Sequence, residues 1–128
     1  MRTYSSRRRI LVTGGAGFVG ANLVRRLIEV GHEPVVFDDF STGLESNLLG
    51  LDLRVQRGNL ADPVAVADAA RGVDAVVHLG ARGSVPRSVV HPVATHEVNA
   101  SGTLNVLEAA RAQGAYVIMS SSSSVYGA

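Results

Sequence analysis

A doubly wound α/β domain on a parallel sheet is the fold class this sequence predicts. Three observations carry it. Short apolar runs rich in Val, Ile and Leu recur along the chain, and helix-like segments separate them. The first run, Ile10-Leu-Val-Thr13, opens directly into closely spaced glycines and then a helical pattern. An aspartate pair, Asp38-Asp39, closes the second run about 20 residues past those glycines. Such alternation forces parallel strands joined by right-handed crossovers, with helices on both faces and about five strands in the order 3-2-1-4-5. A ligand then belongs at the switch point between strands one and four, outside their carboxyl ends.

The first strand covers residues 9–13. A helix follows over 18–30, with Phe18, Val19, Leu23, Val24, Leu27 and Ile28 in helical spacing. Between them the glycines read as Gly15-x-Gly17-x-x-Gly20 or as Gly14-x-x-Gly17-x-x-Gly20. One glycine reverses the chain at positive φ, a second admits a pyrophosphate to the backbone, and Gly20 lets the helix pack on the strand. The unpaired N–H groups and positive dipole end of the helix favour phosphate there. Gly31 ends the helix. Pro34 bars further helix and starts the second strand, residues 35–37, which ends at Asp38-Asp39. A carboxylate at that place accepts hydrogen bonds from the adenosine ribose and repels a 2′-phosphate, which favours NAD over NADP. The plainer alternative is an Asp making a turn; the glycine turn upstream favours the ribose role.

Residues 40–43 are loop, and 44–50 are short helix or irregular. Residues 53–57 alternate as a third strand. Asp62-Pro63 then caps a helix over 64–70 that stops at Gly72. The fourth strand is 74–79, and the small-residue loop 80–84 permits close approach of a cofactor. A long helix spans 92–113. Gly102 inside it costs about 1 kcal/mol relative to Ala, which a close helix–strand contact would explain. Gly114 ends that helix. The fifth strand, 116–120, runs into the serine cluster 120–124.

The 128 residues suit one domain, taken as residues 9–128 after a basic leader, 1–8. A net charge of +1 gives no reason to expect nucleic acid. Arg7, Arg8 and Arg9, with Arg2 nearby, read as a solvated leader rather than an anion contact. The absence of cysteine excludes disulfides and thiolate chemistry. No apolar run approaches the roughly 18–20 residues of a membrane span, and residues 1–9 lack the apolar core of a secretory signal. A cytoplasmic location is the expectation. His78 reads as a structural histidine at a strand end. His91 and His96 miss the i,i+4 pairing of a zinc helix, so no metal is expected.

Five stretches together resemble a known family: Thr13-Gly-Gly-Ala-Gly-Phe-Val-Gly20, Asp38-Asp-Phe-Ser-Thr-Gly43, His78-Leu-Gly-Ala81, Asn99-Ala-Ser-Gly-Thr103 with Leu107-Glu-Ala-Ala-Arg111, and Ser120-Ser-Ser-Ser-Ser-Val-Tyr-Gly127. They resemble the extended short-chain dehydrogenases/reductases, in the NAD-dependent epimerase/dehydratase branch, with the UDP-glucose 4-epimerases nearest. The resemblance implies a Rossmann domain and NAD as cofactor. It implies that Gly14, Gly17 and Gly20, with Phe18 and Val19, hold the pyrophosphate. It places Asp38, with Asp39, Ser41, Thr42 and Gly43, at the adenosine ribose. Asn59 stands where the family commonly has an adenine-contacting Asp, next to Leu60. Leu79, Gly80 and Ala81 join the cofactor set, with Gly80 in place of a common Ala and no effect on backbone approach expected. Asn99 resembles an Asn on the helix behind the nicotinamide. Ser122 resembles the catalytic Ser or Thr, and Ser124 would line the substrate side.

The chemistry so implied is transient oxidation. NAD⁺ takes hydride from C4 of a nucleotide sugar while a Tyr, assisted by a Lys four residues later, removes the hydroxyl proton. The keto-sugar then turns over and is reduced on its other face. The chain has no Lys to make that pair, and Tyr126 belongs to the Val-Tyr-Gly motif instead. The expectation is therefore the N-terminal, cofactor-binding portion of such an enzyme. It would be inactive alone, without the later strands and substrate domain, and prone to self-association or domain exchange. A stand-alone dinucleotide-binding module or sensor is the alternative in another class. Within the family, a 4,6-dehydratase or a decarboxylase stays open.

Overall fold

The computed structural model describes residues 7–127. One sheet holds β1 (Arg9–Thr13), β2 (Glu33–Asp38), β3 (Arg54–Arg57), β4 (Ala75–His78) and β5 (Tyr116–Met119). The order is β3-β2-β1-β4-β5 and every pairing is parallel, as the alternation of strands and helices predicts. The helices are α1 (Phe18–Glu29), α2 (Pro63–Ala69), α3 (Val85–Val90), α4 (Pro92–His96) and α5 (Gly102–Gln113).

Side-chain alternation divides the core between two layers. Leu11, Val35, Phe37 and Val76 face Val66 and Ala69 of α2 and Val106 and Ala110 of α5. Ile10, Val12 and Val36 point the other way, onto Ala21 and Val24 of α1. Strands covered on both faces have no polar side to show, so β1 and β2 are continuously apolar. Each such side chain contributes about 1.5–3 kcal/mol when fully buried. Pro34 fits inside β2 because it is in register with Ile10 at a point where pairing to β3 has not begun. Asp62 starts α2 as expected, its Oδ1 accepting the N–H groups of Val64 at 3.0 Å and Ala65 at 3.2 Å.

Three differences from the sequence reading matter. α3 is not expected from the sequence pattern, although Ser84 before Pro86 repeats the signal of Asp62-Pro63: the Ser84 hydroxyl accepts the Arg87 N–H at 3.3 Å. The long helix does run from 92 to 113, but Glu97–Ser101 widens into a π turn between α4 and α5. Apolar periodicity carries no mark of such a turn. A Cβ on Gly102 would lie 2.9 Å from the Leu60 Cβ. The close contact that explains this glycine is therefore with the loop after β3, not with a strand. Of the two readings open for residues 44–50, short helix or irregular, the structure has the short helix, a 3₁₀ turn over Glu45–Leu48.

Arg9 is tied into the fold. Its N–H donates to Asp74 at 2.9 Å and its guanidinium pairs with Glu33 at 3.3 Å. Arg2 lies outside the described residues. Among the described residues no helix is long and apolar enough to cross a membrane. β5 is an edge strand, with Tyr116, Ile118 and Met119 exposed.

Candidate cofactor site

The site is assembled at the carboxyl ends of β1, β2 and β4, with the turn after Thr13 at its centre. Gly14 has φ +70, which a side chain would strain, and a Cβ there would also stand 2.9 Å from the Gly80 backbone nitrogen. The Gly14 N–H donates to Phe37 O at 2.9 Å, so the turn is pinned to β2 as it leaves β1. Gly20 lies directly under the turn: its Cβ would come within 2.1 Å of Gly14 O. Gly17 is the N-cap of α1 and has no side chain to cap with. The first-turn N–H groups of α1, those of Phe18 and Val19 included, thus have no carbonyl partner within the helix.

A cleft opens over this turn, lined by Gly14, Gly17, Asp38, Asp39, Leu79 and Gly80, with Ser41, Thr42, Gly43, Leu60 and Ala81 around them. These are residues the sequence reading names. Phe37, Gly58, Arg82 and Val98 also line it and are not among those it names. Phe18 and Val19 are named there but are exposed and lie off the cleft lining. Gly20 is buried beneath the turn. Asn59 is exposed, and its Oδ1 accepts the Ala61 N–H at 2.9 Å to make a local turn. Leu60 is tied down by Asn105, whose Nδ2 donates to its carbonyl at 2.8 Å. A Cβ on Gly80 would meet the Leu60 Cδ1 at 2.9 Å, the far end of a flexible side chain.

Asp38 is only 9% exposed and already at work in the protein. Its Oδ2 accepts the Ala16 N–H at 2.9 Å and its Oδ1 accepts the Phe40 N–H at 2.8 Å. The turn reading and the ligand reading of this residue are therefore compatible. The carboxylate holds the glycine turn to β2, and each oxygen keeps a second lone pair for a ligand hydroxyl. Asp39 folds the next loop by accepting from Ser41 N at 2.9 Å and Ser41 Oγ at 2.7 Å. Phe40 holds φ 59, and the Arg57 guanidinium lies 4.4 Å above its ring. Asn47 Nδ2, donating to Ala16 O at 2.8 Å, ties that loop back to the turn.

A second network lies beneath β4. His78 is 5% exposed, with Nδ1 2.6 Å from Thr13 Oγ1 and Nε2 3.1 Å from Thr103 Oγ1. Thr13 Oγ1 already accepts the N–H groups of Leu79 and Gly80, each at 3.1 Å, so its own proton goes to His78 Nδ1. His78 is thereby the neutral Nε2–H tautomer and donates to Thr103, whose hydroxyl donates to Asn99 O at 2.6 Å. Asn99 in turn accepts the Arg82 N–H at 2.7 Å and donates to Arg82 O at 2.9 Å. The structural role expected for His78 is thus that of a strut under the cleft loop.

Burial lowers the His78 pKa, since a charged imidazole loses its hydration there. The folded chain binds a proton less readily than the unfolded chain. The contribution of neutral His78 to stability is full above the ordinary value of about 6.5 and is lost as pH falls from there through the lowered folded value. Urea melts from pH 7.5 down to 5 should show a falling midpoint, and the fall should be shallower in His78→Asn. Equal slopes in the two proteins would refute this.

Ser122 and Ser124 are exposed beyond β5 and do not line the cleft. Ser122 Oγ accepts the Ser124 N–H at 3.0 Å, capping a 3₁₀ turn over Ser123–Tyr126. The cleft residues do fit a dinucleotide: a close-approach glycine turn, a bare helix start and a buried carboxylate that still has lone pairs stand side by side.

Comparison with known proteins agrees with that chemistry. The model of the NAD dependent epimerase/dehydratase family matches residues 10–128. UDP-glucuronic acid decarboxylase 1 of Arabidopsis thaliana is 40% identical over 125 residues, 94% of this chain and 28% of that protein. Its namesake in Danio rerio is 38% identical over 94% of this chain and 29% of that protein. The UDP-glucose 4-epimerase of Thermus thermophilus, solved with NAD, is 42% identical with a TM-score of 0.76, over 83% of this chain and 34% of that one. The UDP-glucose 4-epimerase of Brucella ovis, also with NAD, is 33% identical with a TM-score of 0.84, over 94% and 38%. The chain therefore spans less than a third of the length of these curated relatives.

Proposed function

The chain belongs to the NAD-dependent epimerase/dehydratase family, and from that premise we propose that it is the NAD-binding portion of a nucleotide-sugar 4-epimerase. The observation that carries the reading is the glycine turn wedged against the β4 loop, with Asp38 bonded to its backbone. In this proposal Gly14 and Gly17 give the dinucleotide's diphosphate access to backbone, and Gly20 sets the helix start beneath it. Asp38 accepts the ribose hydroxyls, with Asp39, Ser41, Thr42 and Gly43 as the adenosine-side wall and Asn59 and Leu60 toward the adenine. Leu79, Gly80 and Ala81 form the opposite wall, which Asn99 holds in place. NAD⁺ bound there supplies a hydride acceptor. Ser122 would hydrogen-bond the substrate hydroxyl and Ser124 would line the sugar, both after movement of the segment beyond β5.

Decarboxylation of a nucleotide uronic acid is the second reading, favoured by the identity to UDP-glucuronic acid decarboxylases. The 128 residues contain no Lys, so the Tyr-x-x-x-Lys base is not among them, and the chain alone should bind cofactor without turnover. Incubation with NAD⁺ and either UDP-glucose or UDP-glucuronic acid tests this. Sustained UDP-galactose formation would refute inactivity while supporting the epimerase. Release of CO₂ would refute it in favour of the decarboxylase. NAD⁺ binding without turnover of either sugar nucleotide is the expected result. A coding frame that continues into a Tyr-x-x-x-Lys motif would support the enzyme portion, and a stop codon directly after residue 128 the stand-alone module.

The proposal extends to self-association along β5, whose open edge and exposed Tyr116, Ile118 and Met119 suit pairing with another chain. A strictly monomeric mass by light scattering at micromolar concentration would exclude it. A cytoplasmic location completes the proposal, to be checked by fractionation of cells expressing the tagged chain.

A further inference from the structure

Charge around the cleft follows the strand order. Asp38 and Asp39 stand at the end of β2, the glycine turn lies over β1, and Arg82 stands beyond β4. Among the described residues lining the cleft, Arg82 is the only cation. Its guanidinium takes part in none of the ion pairs among the described residues. Its backbone, by contrast, is held at both polar groups by the Asn99 carboxamide. The Asn99 carbonyl is fixed in turn by Thr103, and Thr103 by the buried His78. An unpaired guanidinium on so firmly held a loop is suited to an anion, and its planar fork matches phosphate oxygens.

Resting on the reading of this cleft as an NAD site, we infer that Arg82 contacts the diphosphate of the dinucleotide, at the phosphate on the nicotinamide side. The order of the strands supplies the argument. Adenosine hydroxyls are donors and belong at the carboxylate over β2. The diphosphate then crosses the glycine turn over β1, and its second phosphate arrives on the β4 side. The β1 and β4 loops are in contact there, because a Cβ on Gly14 would stand 2.9 Å from Gly80 N. Arg82 is two residues beyond that contact. The backbone N–H groups of the turn serve one phosphate, and the guanidinium adds the full charge that the turn lacks. Asn99 is the positioning residue of this pair.

Calorimetric titration of wild type, Arg82→Gln and Arg82→Lys with NAD⁺, ADP, AMP, adenosine and UDP tests the assignment. A charge-assisted hydrogen bond to phosphate corresponds to roughly a ten- to hundredfold change in affinity. Arg82→Gln should lose that much for NAD⁺ and ADP while AMP and adenosine stay near wild type, and Arg82→Lys should recover part of it. Retained adenosine binding shows at the same time that the variant's cleft is folded. Unchanged NAD⁺ and ADP affinity in Arg82→Gln would overturn the inference. So would an equal loss for adenosine, or a loss confined to UDP, which would move Arg82 to the sugar nucleotide. Wild type that binds no NAD⁺ would overturn the cofactor reading itself, so the two failures are distinct.

Discussion

Gly20→Ala should unfold the chain or cost it about 3 kcal/mol or more, whereas Gly17→Ala should leave it folded with its NAD⁺ affinity lowered at least about tenfold. The two glycines stand three residues apart in one motif and differ in what a methyl group meets. At position 20 the Cβ would lie 2.1 Å from Gly14 O, 2.8 Å from Gly15 Cα and 2.9 Å from Gly14 C. All three are backbone atoms of a turn fixed to β2 through Gly14 N–H and to the β4 loop through Gly80, so none can move without dislodging a strand. At position 17 the closest atom is Gly14 O at 3.3 Å, a contact that a shift of a few tenths of an ångström relieves. Exchanging Gly for Ala at a helix N-cap costs about 1 kcal/mol or less. Its methyl group, however, enters the cleft at the place proposed for the diphosphate. Urea melts read the first effect and calorimetry the second. A stable Gly20→Ala, or a Gly17→Ala that binds NAD⁺ as wild type does, would contradict this account of the turn.

Asp38→Ala should both destabilise the empty protein and weaken its preference for NAD⁺ over NADP⁺. Removing the carboxylate leaves the N–H groups of Ala16 and Phe40 without an acceptor in a region where Asp38 was only 9% exposed. Each unsatisfied buried donor costs about 1–3 kcal/mol, and Phe40 also loses a bond that holds it at φ 59. The ligand effect is separate: the buried carboxylate that would repel a 2′-phosphate and accept the ribose hydroxyls is gone, and of the pair only Asp39, already bonded to Ser41, remains at the cleft. NAD⁺ affinity should fall by about tenfold or more while NADP⁺ changes little or improves. A melt without ligand isolates the structural part, and titration of the two cofactors isolates the other. Loss of stability with selectivity intact would reduce Asp38 to a turn residue.

The parts of this molecule that are legible in its sequence are those set by local backbone demands and strict periodicity. Strands covered on both faces read as apolar runs, and Asp62-Pro63 and Gly114 mark helix ends by chemistry that acts within a few residues. The turn from Gly14 to Gly20 is legible for the same reason: only glycine fits where backbone meets backbone. The strand order then follows from the alternation, and it brings Asp38 and Gly80 to one edge.

What stays hidden depends on distances between segments far apart in the chain. The loop 80–84 reads as a place of close approach through its small residues, and nothing in that pattern singles out the Arg82 side chain within it. Asn99 carries the family motif, but it grips Arg82 from within the π turn at Glu97–Ser101, which no periodicity announces. Phe37 from β2, Gly58 just after β3 and Val98 from the long helix meet at the cleft from three separate segments. The hydroxyls of Ser122 and Ser124, near the motif in sequence, lie beyond the edge strand β5 and away from the cleft. His78 reads as an ordinary strand-end histidine, and only the pairing of Thr13 with the Leu79 and Gly80 N–H groups fixes its tautomer.

The most direct test of the account is calorimetric titration of this chain with NAD⁺ and with NADP⁺ under the same conditions. The geometry at Asp38 predicts that NAD⁺ binds and that NADP⁺ binds at least about tenfold more weakly, since a 2′-phosphate would meet a carboxylate already fixed by two backbone N–H groups. NADP⁺ binding as tight as NAD⁺ or tighter would contradict the role given to Asp38, and with it the reading of the cleft.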